Sequence, residues 1–591
     1  MSRSVRIGNA HGFWGDRIEA AAEMLAAEPE LDYITLDFLA EVSMSILALQ
    51  RSRDAEAGWP RDVATVIQTL VPYWRAGGQC RLITNGGGLN PEACARACRQ
   101  ILDAGGCGHL TIAVVSGDDV RDQLTADSGE SPPSSNLDTG ENLSRVQARL
   151  VTANAYLGSK PLVEALQQGA DILITGRIAD PSLTVAACVH HHGWKWDDWD
   201  LLAAATVAGH LIECGAQVTG GISTDWLSLT DADMNQLGFP IVEVADDGSV
   251  IVTKPARSGG RVSEQTVKEQ LVYEIGDPGN YISPDVTVSF LTLSVAELSC
   301  DRVQIRGVTG RPAPATLKVS ATYQDGYRAQ GELTVYGENA VAKGRRAGQA
   351  VLERLRTQGV TFRDSLIECL GTGACNPRGT DEALATELRE TVLRIAVADG
   401  ARESVERFSS ALMPLITAGP PGTTGYSAGR PRVQPVFRYW PCLIDRDRVT
   451  PRVSLLRGGG ERPVPAERAI DRDGRNDLPP RSAAPSGLQP TRRLMDIALA
   501  RSGDKGIHAN VGLIARRPED YGRICREATV ERVAAHFGID DVGRVKRYEL
   551  PNLAALNFIV HGILDNSLRV DAQGKTLGQV LLEMRLVSAD H

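Results

Sequence analysis

The sequence lacks the features that mark several large classes of protein. No apolar run approaches the roughly 18 residues that cross a membrane. The first residues, MSRSVRIGNAHGFWGDR, contain no apolar signal-peptide core. No basic stripe stands out, and the net charge is −10, from 63 basic and 73 acidic residues. We therefore expect a cytoplasmic protein whose partners include neither a membrane nor a nucleic acid.

Cysteine and metal-ligand spacings are also missing. The 11 cysteines are scattered without a Cys-x-x-Cys pair, and Cys94 and Cys98, on one helix face, are expected to be small packing residues. Zinc-finger, H-E-x-x-H and EF-hand spacings are absent, and the adjacent triple His190-His191-His192 is poorly arranged to converge on one ion, so we predict no metal. No G-x-G-x-x-G fingerprint follows the first predicted strand, which disfavours NAD. We predict no resident cofactor.

The chain is long enough for more than one domain. It has 591 residues, whereas single cores stop growing near ~250–300 residues. In residues 1–237, helical patterns alternate with five apolar strand patterns: VRIGNA, LDYITLDF, RLITNGGG, HLTIAVVS and DILITG. This alternation predicts an α/β fold with a doubly wound, mostly parallel sheet.

The rest of the chain has a different pattern of predicted secondary structure. Residues 238–455 contain strand-like runs, the hairpin signal Asp246-Asp247-Gly248 and returning helical patterns, which predict a second α+β lobe packed on the first. Residues 456–491 are rich in Pro, Gly, Arg and Asp and are predicted to be a linker. Residues 492–591 mix strands and helices and predict a ferredoxin-like α+β domain.

A polar segment interrupts the alternation in the first part. Residues 122–145, with the run TADSGESPPSSNLDTGEN, look too polar to pack, so we expect a surface insertion. The insertion closely follows a predicted strand. Two alternatives stay open for it, a lid over the neighbouring crevice and a bare disordered loop.

Polar residues collect where the predicted strands end. They are Asn9, His11, Asp37, Asn85, Asp118, Arg177 and Asp180. In sheets of this kind ligands bind outside the carboxyl ends of the strands. We therefore expect a binding site in this crevice. The alternative is that strand ends are loops, and that loops are polar in any case.

The third strand end, CRLITNGGGLNP, is the strongest single candidate. Gly86, Gly87 and Gly88 would permit a tight turn with free backbone N–H groups, while Asn90-Pro91 suits the start of the next helix. We predict a ligand-facing turn that binds through these amides and Asn85. The alternative is a tight turn between strand and helix with no ligand.

Four residues are candidates for proton transfer: Asp37, Glu41, His11 and Glu213. His210 and Glu213 lie one helical turn apart, shortly before Gln217, and they could reach the same crevice. A carboxylate near a strand end can also simply cap the next helix. The choice among these roles stays open.

A second candidate loop lies in the last domain. The stretch Ser502-Gly503-Asp504-Lys505-Gly506 offers a hydroxyl, flexible backbone N–H groups and one cation, a combination that suits a phosphate or a carboxylate. The G-x-x-x-x-G-K-S/T spacing of a Walker A loop is absent. The alternative is a charged hairpin turn.

Several stretches resemble one known family. GNAHGFWGDR, DYITLDFLAEVSMSIL, LITNGGGLNP, DILITGRIADPSL, ECGAQVTGG, YEIGDPGNYISPDV and GTGACNP are similar to the acyclic terpene utilisation (AtuA) family. RSGDKGIHANVGLIA, LPNLAALNF and SLRVDAQGKTLG resemble the small domain that often follows it. The resemblance covers nearly the whole chain.

The resemblance implies a part in the breakdown of citronellol- and geraniol-type terpenoids through branched acyl-CoA intermediates. It brings no catalytic residue set, only matching positions: Asn9, His11, Gly12, Asp16, Asp37, Glu41, Asn85, Gly86–Gly88, Arg177, Asp180, Glu213, Gln217 and Ser502–Lys505. We expect a hydratase or lyase whose substrate carries CoA, and a homo-oligomer. Two alternatives stay open. The protein could be a non-catalytic partner or scaffold of an acyl-CoA enzyme complex, or it could bind a small acid or a nucleotide.

Overall fold

The computed structural model describes residues 4–41, 43–126, 134–459, 493–565 and 567–587. The helices are α1 Ala20–Ala27, α2 Ser43–Arg51, α3 Asp62–Arg75, α4 Pro91–Ala104, α5 Arg121–Ala126, α6 Lys160–Gln167, α7 Ser182–His192, α8 Trp199–Ile212, α9 Asp231–Asn235, α10 Glu264–Leu271, α11 Ala340–Thr357, α12 Glu382–Glu387, α13 Arg402–Ala411, α14 Leu415–Ala418, α15 Tyr521–Glu527, α16 Val530–Phe537 and α17 Leu577–Leu582. None of these helices has the length and apolar character that a membrane crossing requires.

The strands fall into four sheets. They are β1 Ser4–Asn9, β2 Tyr33–Leu36, β3 Arg81–Thr84, β4 Ile112–Ser116, β5 Leu150–Ala155, β6 Ile172–Thr175, β7 Ile241–Ala245, β8 Val250–Thr253, β9 Tyr281–Ile282, β10 Thr287–Ser289, β11 Ser294–Ser299, β12 Arg302–Arg306, β13 Thr309–Arg311, β14 Thr316–Tyr336, β15 Asp364–Leu370, β16 Glu390–Asp399, β17 Thr423–Thr424, β18 Gln434–Asp445, β19 Arg452–Leu456, β20 Ala498–Lys505, β21 His508–Ala515, β22 Val545–Leu550 and β23 Ala555–Val560. The predicted linker, 456–491, lies outside the described residues from residue 460 onward.

The largest sheet has ten strands in the order β11-β12-β8-β7-β1-β2-β3-β6-β4-β19. Its central strands β1, β2, β3, β6 and β4 pair in parallel, and they are the five strands predicted from sequence. The five flanking strands all pair antiparallel. The expectation of a mostly parallel sheet is therefore corrected to a mixed sheet with a parallel centre.

The apolar character of the central strands follows from their burial on both faces. In β3, Leu82 packs in the core that contains α1, α3 and α4, whereas Ile83 packs in the core that contains α6, α7 and α8. A strand covered on both sides has no solvent face to make polar. The next helix, α4, begins as its sequence indicates, since Asn90 Oδ1 accepts from Ala93 N at 3.4 Å.

Each of the two larger sheets contains strands that precede residue 237 in the sequence and strands that follow it. Strands β7, β8, β11 and β12 extend the ten-stranded sheet, while β5 joins a six-stranded sheet built on β14. Strand β14 is 21 residues long and also pairs with β16, β17 and β18. The division predicted at residue 237 therefore does not coincide with a division between sheets.

The polar insertion packs more closely than predicted. Within its described residues 134–145, Ser134 and Asn136 are buried and Leu143 belongs to the main core. The indole Nε1 of Trp440 donates to the Ser134 carbonyl at 3.2 Å. The expectation that this segment is too polar to pack is wrong for these residues, because their polar groups find partners inside the protein. Residues 127–133 lie outside the described residues.

The last domain is an antiparallel sheet with the order β20-β21-β23-β22. Helices α15, α16 and α17 cover one face. Leu499, Ile514 and Ala555 extend from the domain into the main hydrophobic core. Polar contacts add to this interface: Asn557 Nδ2 donates to the Ile275 carbonyl at 3.1 Å. The domain is thus packed against the large sheet and its helices.

Candidate functional site

Loops that follow the parallel strands are tied together at their carboxyl ends. Asn85, after β3, accepts from Phe38 N at 2.7 Å and donates to Asp37 Oδ1 at 2.6 Å. Asp37 N in turn donates to the His11 carbonyl at 3.0 Å. The structure therefore brings these predicted residues together, but the Asn85 amide is engaged by the protein itself.

Arg177 is a buried cross-link in the same region. Its Nη1 donates to the Leu39 carbonyl at 2.7 Å, and Nε and Nη2 donate to the Ile178 carbonyl at 3.1 and 2.9 Å. Nη2 also pairs with Asp180. These contacts occupy four of the five N–H donors of the guanidinium. Arg177 mainly holds loops in place, whereas Asp180 keeps accessible surface.

The glycine turn is explained by packing. The amides of Gly86–Gly88 donate in order to Thr84 Oγ1, the Thr175 carbonyl and the Asn85 carbonyl at 3.0, 3.0 and 3.2 Å. A Cβ on Gly87 would lie 2.7 Å from the Thr175 oxygen, and Gly88 has a φ of +56°. Glycine is needed here for close approach and a left-handed backbone. This geometry argues against the ligand-binding role predicted for the three amides.

Asn9 positions the end of α8. Its Nδ2 donates to the carbonyls of Ile212 and Glu213, the latter at 3.2 Å, and its Oδ1 accepts from Thr35 at 3.1 Å. The Asn9 side-chain amide therefore already has hydrogen-bond partners within the protein. That contact also fixes where the Glu213 side chain begins.

His11 lies beneath these loops. Its ring is fully buried 4.8 Å from the Phe38 ring, and neither ring nitrogen has a hydrogen-bond partner among the described residues. Burial lowers the pKa of His11, although the negative charge of Asp16 acts in the opposite direction. A neutral imidazole is therefore expected at pH 7. Its predicted role in proton transfer stays a prediction.

Charged side chains gather beside this frame in an internal recess. The side chains of Lys318, Asp180 and Glu41 are 43, 35 and 30 % exposed, yet each is surrounded by protein. Because water reaches these three side chains although protein surrounds them, they line a recess. We call it the strand-end recess.

Glu41 and Lys318 form an ion pair in the strand-end recess. Lys318 Nζ lies 3.3 Å from Glu41 Oε1 and above the rings of Tyr156 and Tyr439, at 5.3 and 5.5 Å. Burial acts to raise the pKa of Glu41, but the charges of Lys318 and Lys505 outweigh it and the net pKa is lowered. Glu41 is thus an anion that holds a cation, which weakens its case as a proton donor.

The last domain adds its β20–β21 hairpin to the recess. Ser502–Lys505 are part of strand β20 and pair with β21, so this stretch is not the flexible loop that was predicted. Ser502 Oγ donates to the Gly574 carbonyl and accepts from Gly578 N, both at 2.8 Å. The hydroxyl predicted to bind a ligand is therefore consumed inside the domain.

Asp504 and Lys505 carry the hairpin's charge into the recess. The Lys505 side chain makes no hydrogen bond or ion pair with any described residue, although its charge acts on Glu41 and Glu213. Burial, reinforced by Glu274, raises the pKa of Asp504 to about 6. The hairpin thus supplies a cation that is free to meet a ligand.

Contacts across the domain interface hold this hairpin in register. Gln217 Oε1, predicted to bind substrate, accepts from Arg501 Nη2 at 2.5 Å, and Asn510 Oδ1 accepts from Glu274 N at 2.8 Å. Glu274 has a φ of +54°, a strain of roughly 1–3 kcal/mol for a non-glycine residue. The last domain therefore stabilises the backbone that carries the Glu274 carboxylate.

Two carboxyl groups at the recess have a raised pKa, which favours their protonated form. Burial raises the pKa of Asp37 well above its ordinary value, and the charge of Asp180 raises it further. Burial followed by Asp180 and Glu274 does the same for Glu213. A carboxyl group whose pKa is raised toward neutral pH is better suited to exchange protons there than one with an ordinary pKa. Among the described residues no three metal-ligating side chains gather as a metal ion would require.

Sequence comparison now adds the family. The model of the acyclic terpene utilisation family protein AtuA matches residues 5–455. The chain belongs to the AtuA family. The model of the AtuA ferredoxin-like domain matches residues 492–587, which confirms the prediction for the last domain. Searches of the curated proteins and of the solved structures found no match.

In this AtuA family member the strand-end recess draws on both matched regions. Glu41 and Lys318 come from the first region and Lys505 from the second. Sequence reasoning found the hairpin and the strand ends separately but did not join them. It missed Lys318, whose signal was a lysine in the otherwise apolar strand run TLKVSA.

Another cavity lies behind one wall of the recess. This cleft of about 540 Å³ is lined by Trp196, Trp199 and Leu157 among others. Leu157 and Leu317 line the cleft, while their chain neighbours Tyr156 and Lys318 border the recess. The segment that follows β5 and the start of strand β14 therefore lie between the cleft and the charged groups, and we place the candidate site in the recess.

Proposed function

We propose that this AtuA family member is an enzyme of acyclic terpenoid breakdown that hydrates, or cleaves, a branched acyl-CoA thioester by acid–base catalysis. One observation carries the proposal: two carboxyl groups with raised pKa, Asp37 and Glu213, border the strand-end recess together with the Lys505 ammonium, which has no partner among the described residues. A thioester enolate needs both a proton carrier and a positive charge near its oxygen.

The residues divide the work as follows. Lys505 stabilises negative charge on the thioester oxygen. Asp37 and Glu213 are the proton carriers. In hydration, one carrier gives its own proton to a neighbouring group as it takes a proton from water, and the hydroxyl bonds to the β-carbon. The electron pair of the double bond moves to the thioester oxygen, and the proton then returns to the α-carbon.

The proposal is tested on the full-length protein with a panel of branched enoyl-CoA and 3-hydroxyacyl-CoA thioesters, read by chromatography and mass spectrometry. We expect reversible hydration or cleavage of at least one member. Turnover should be lost in Asp37→Asn or in Glu213→Gln. Absence of both turnover and thioester binding would contradict the proposal.

The scaffold alternative gives a different outcome. A non-catalytic partner of an acyl-CoA enzyme complex would copurify with a carboxylase or hydratase and would function unchanged after Asp37→Asn. The CoA-bearing substrate, a cytoplasmic location and a homo-oligomer remain predictions.

A further inference from the structure

His210 and Glu213 form a contact pair at the end of α8. His210 Nδ1 lies 3.2 Å from Glu213 Oε1, and His210 Nε2 lies 3.0 Å from the backbone carbonyl of Gln270. The imidazole is buried and packs against the rings of Tyr281 and Phe290, at 5.6 and 5.9 Å. Both ring nitrogens of His210 are therefore engaged.

The contact with the Gln270 carbonyl shows which ring nitrogen of His210 carries a hydrogen. A backbone carbonyl only accepts, so the hydrogen on His210 must sit on Nε2. In a neutral imidazole Nδ1 is then an acceptor. Two arrangements fit the contact between Nδ1 and Oε1: an imidazolium that donates to a carboxylate, and a neutral imidazole that accepts from a carboxylic acid. Burial of both groups favours the second arrangement, in which Glu213 is a carboxylic acid.

The surrounding charges agree with this assignment. Burial, and after it the charge of Lys505, lowers the pKa of His210 to about 4, against smaller opposing effects of Glu274 and Asp180. The same two acidic neighbours favour the protonated form of Glu213. The pair is thus neutral imidazole and neutral carboxyl at pH 7.

The second carboxyl oxygen of Glu213, Oε2, does not take part in the contact with His210. Oε2 is buried and has no hydrogen-bond partner among the described residues, although the side chain as a whole is 15 % exposed. An unsatisfied buried acceptor costs roughly 1–3 kcal/mol. A hydroxyl donor arriving in the recess would satisfy it.

We propose that Glu213 is the catalytic proton carrier and that His210 is a positioning residue that stores the displaced proton. This proposal rests on the proposed function and names the residue that performs its proton step. Water gives a proton to Oε2 while the Oε1 proton passes to His210 Nδ1. The hydroxide bonds to the β-carbon and the electron pair moves to the thioester oxygen, which leaves an enolate and an imidazolium.

The return step restores the pair. The imidazolium gives its Nδ1 proton back to Oε1, and the Oε2 proton goes to the α-carbon as the enolate electron pair forms the C–H bond. Water has then been added across the double bond, and no other reactant is consumed. The neutral pair at rest is what such an exchange requires.

The first experiment needs no turnover. In the full-length protein labelled with ring-¹⁵N histidine, we expect a His210 signal of the neutral Nε2–H form at pH 7, assigned by its loss in His210→Asn. The infrared difference between the wild type and Glu213→Gln at pH 7 should show loss of a protonated carboxyl band. An Nδ1–H form, or loss of a carboxylate band instead, would overturn the proposal.

The second experiment measures kinetics on the acyl-CoA identified by the panel. His210→Asn keeps an acceptor for Glu213 but cannot store a proton, so we expect kcat to fall about 100-fold with KM nearly unchanged. Glu213→Gln should fall at least as far, and the double variant no further than Glu213→Gln alone. Additive losses, or a change in KM alone, would indicate a structural role.

A matched control is available in the last domain. His536 Nε2 also bonds a backbone carbonyl, that of Val580, at 2.7 Å. His536→Asn should leave kcat unchanged. If no acyl-CoA is turned over, the proposed function fails, and the spectroscopic result alone decides whether Glu213 holds its proton against His210.

Discussion

Two sets of polar residues border the strand-end recess, and they differ in what their side chains still have free. The strand-end frame, defined here as Asn9, Asn85, Gly86–Gly88 and Arg177, spends its hydrogen-bonding groups on other parts of the protein. The charged set, defined here as Asp504 and Lys505, comes from the last domain, and Lys505, which has no partner among the described residues, keeps its charge available in the recess.

The strand-end frame holds the site in shape, whereas the charged set can act on a ligand. Buried amides and guanidinium groups with satisfied partners fix loop positions and make them rigid. An ammonium without a partner keeps its full capacity to bind an anion. Changes in the frame should therefore affect stability first, and changes in the charged set should affect function first.

The largest effect should come from Asn85→Ala in the frame. The change leaves the Phe38 N–H without a partner and removes one of the two donors to Asp37 Oδ1, so that only Leu39 N remains. We expect a loss of about 3 kcal/mol in the free energy of unfolding. Thermal and denaturant unfolding measure it. The exposed Asn235→Ala is the control, and equal stability of the two variants would erase the distinction between frame and charged set.

Gly87→Ala should be the next most damaging change. The new Cβ would lie 2.6 Å from Pro91 Cβ and 2.7 Å from the Thr175 oxygen, and overpacking of this kind costs roughly 1–3 kcal/mol. Gly400→Ala, where nothing lies within 4 Å of the new Cβ, should unfold like the wild type. A stable Gly87→Ala protein with altered ligand binding would return the turn to a ligand-binding role.

Lys505→Met tests the charged set. Because the side chain has no partner among the described residues, stability should stay within about 0.5 kcal/mol of the wild type. The value of kcat/KM on the identified acyl-CoA should fall roughly 10–100-fold, since a charge facing the developing anion is lost. A stability loss as large as that of Asn85→Ala would place Lys505 with the frame.

The smallest effect should be a pH dependence at Asp504. Its pKa is about 6 in the folded protein, above its ordinary value, so the folded state binds the proton more tightly than the unfolded state. This contribution to stability is complete below about pH 4 and is lost as pH rises through about 6. Asp504→Asn should flatten the Tm profile over that window by roughly 2–4 °C. The exposed Asp122→Asn should retain the wild-type profile, and an equal flattening there would remove Asp504 as the cause.

Much of the scaffold was predictable from local patterns. The five parallel strands, the Asn90-Pro91 helix start and the mixed last domain all follow from periodicity and capping, which act over a few residues. The placement of His11, Asp37 and Asn85 close together was predicted because the carboxyl ends of parallel strands lie at the same edge of a sheet. The flanking antiparallel strands were harder, because an alternating run does not state which neighbour it pairs with.

The sequence by itself determined the family, the parallel centre of the large sheet and the polar character of its strand ends, because these depend on side-chain order along the chain. Only the tertiary structure decided which of those polar groups remain free. Glu41 and Lys318 are 277 residues apart, and Lys505 reaches them from another domain. Such contacts depend on how sheets and domains pack. The glycine turn was misjudged for a related reason: the Gly87 amide donates to the Thr175 carbonyl in the neighbouring strand β6, and the other two amides donate to residues just before the turn.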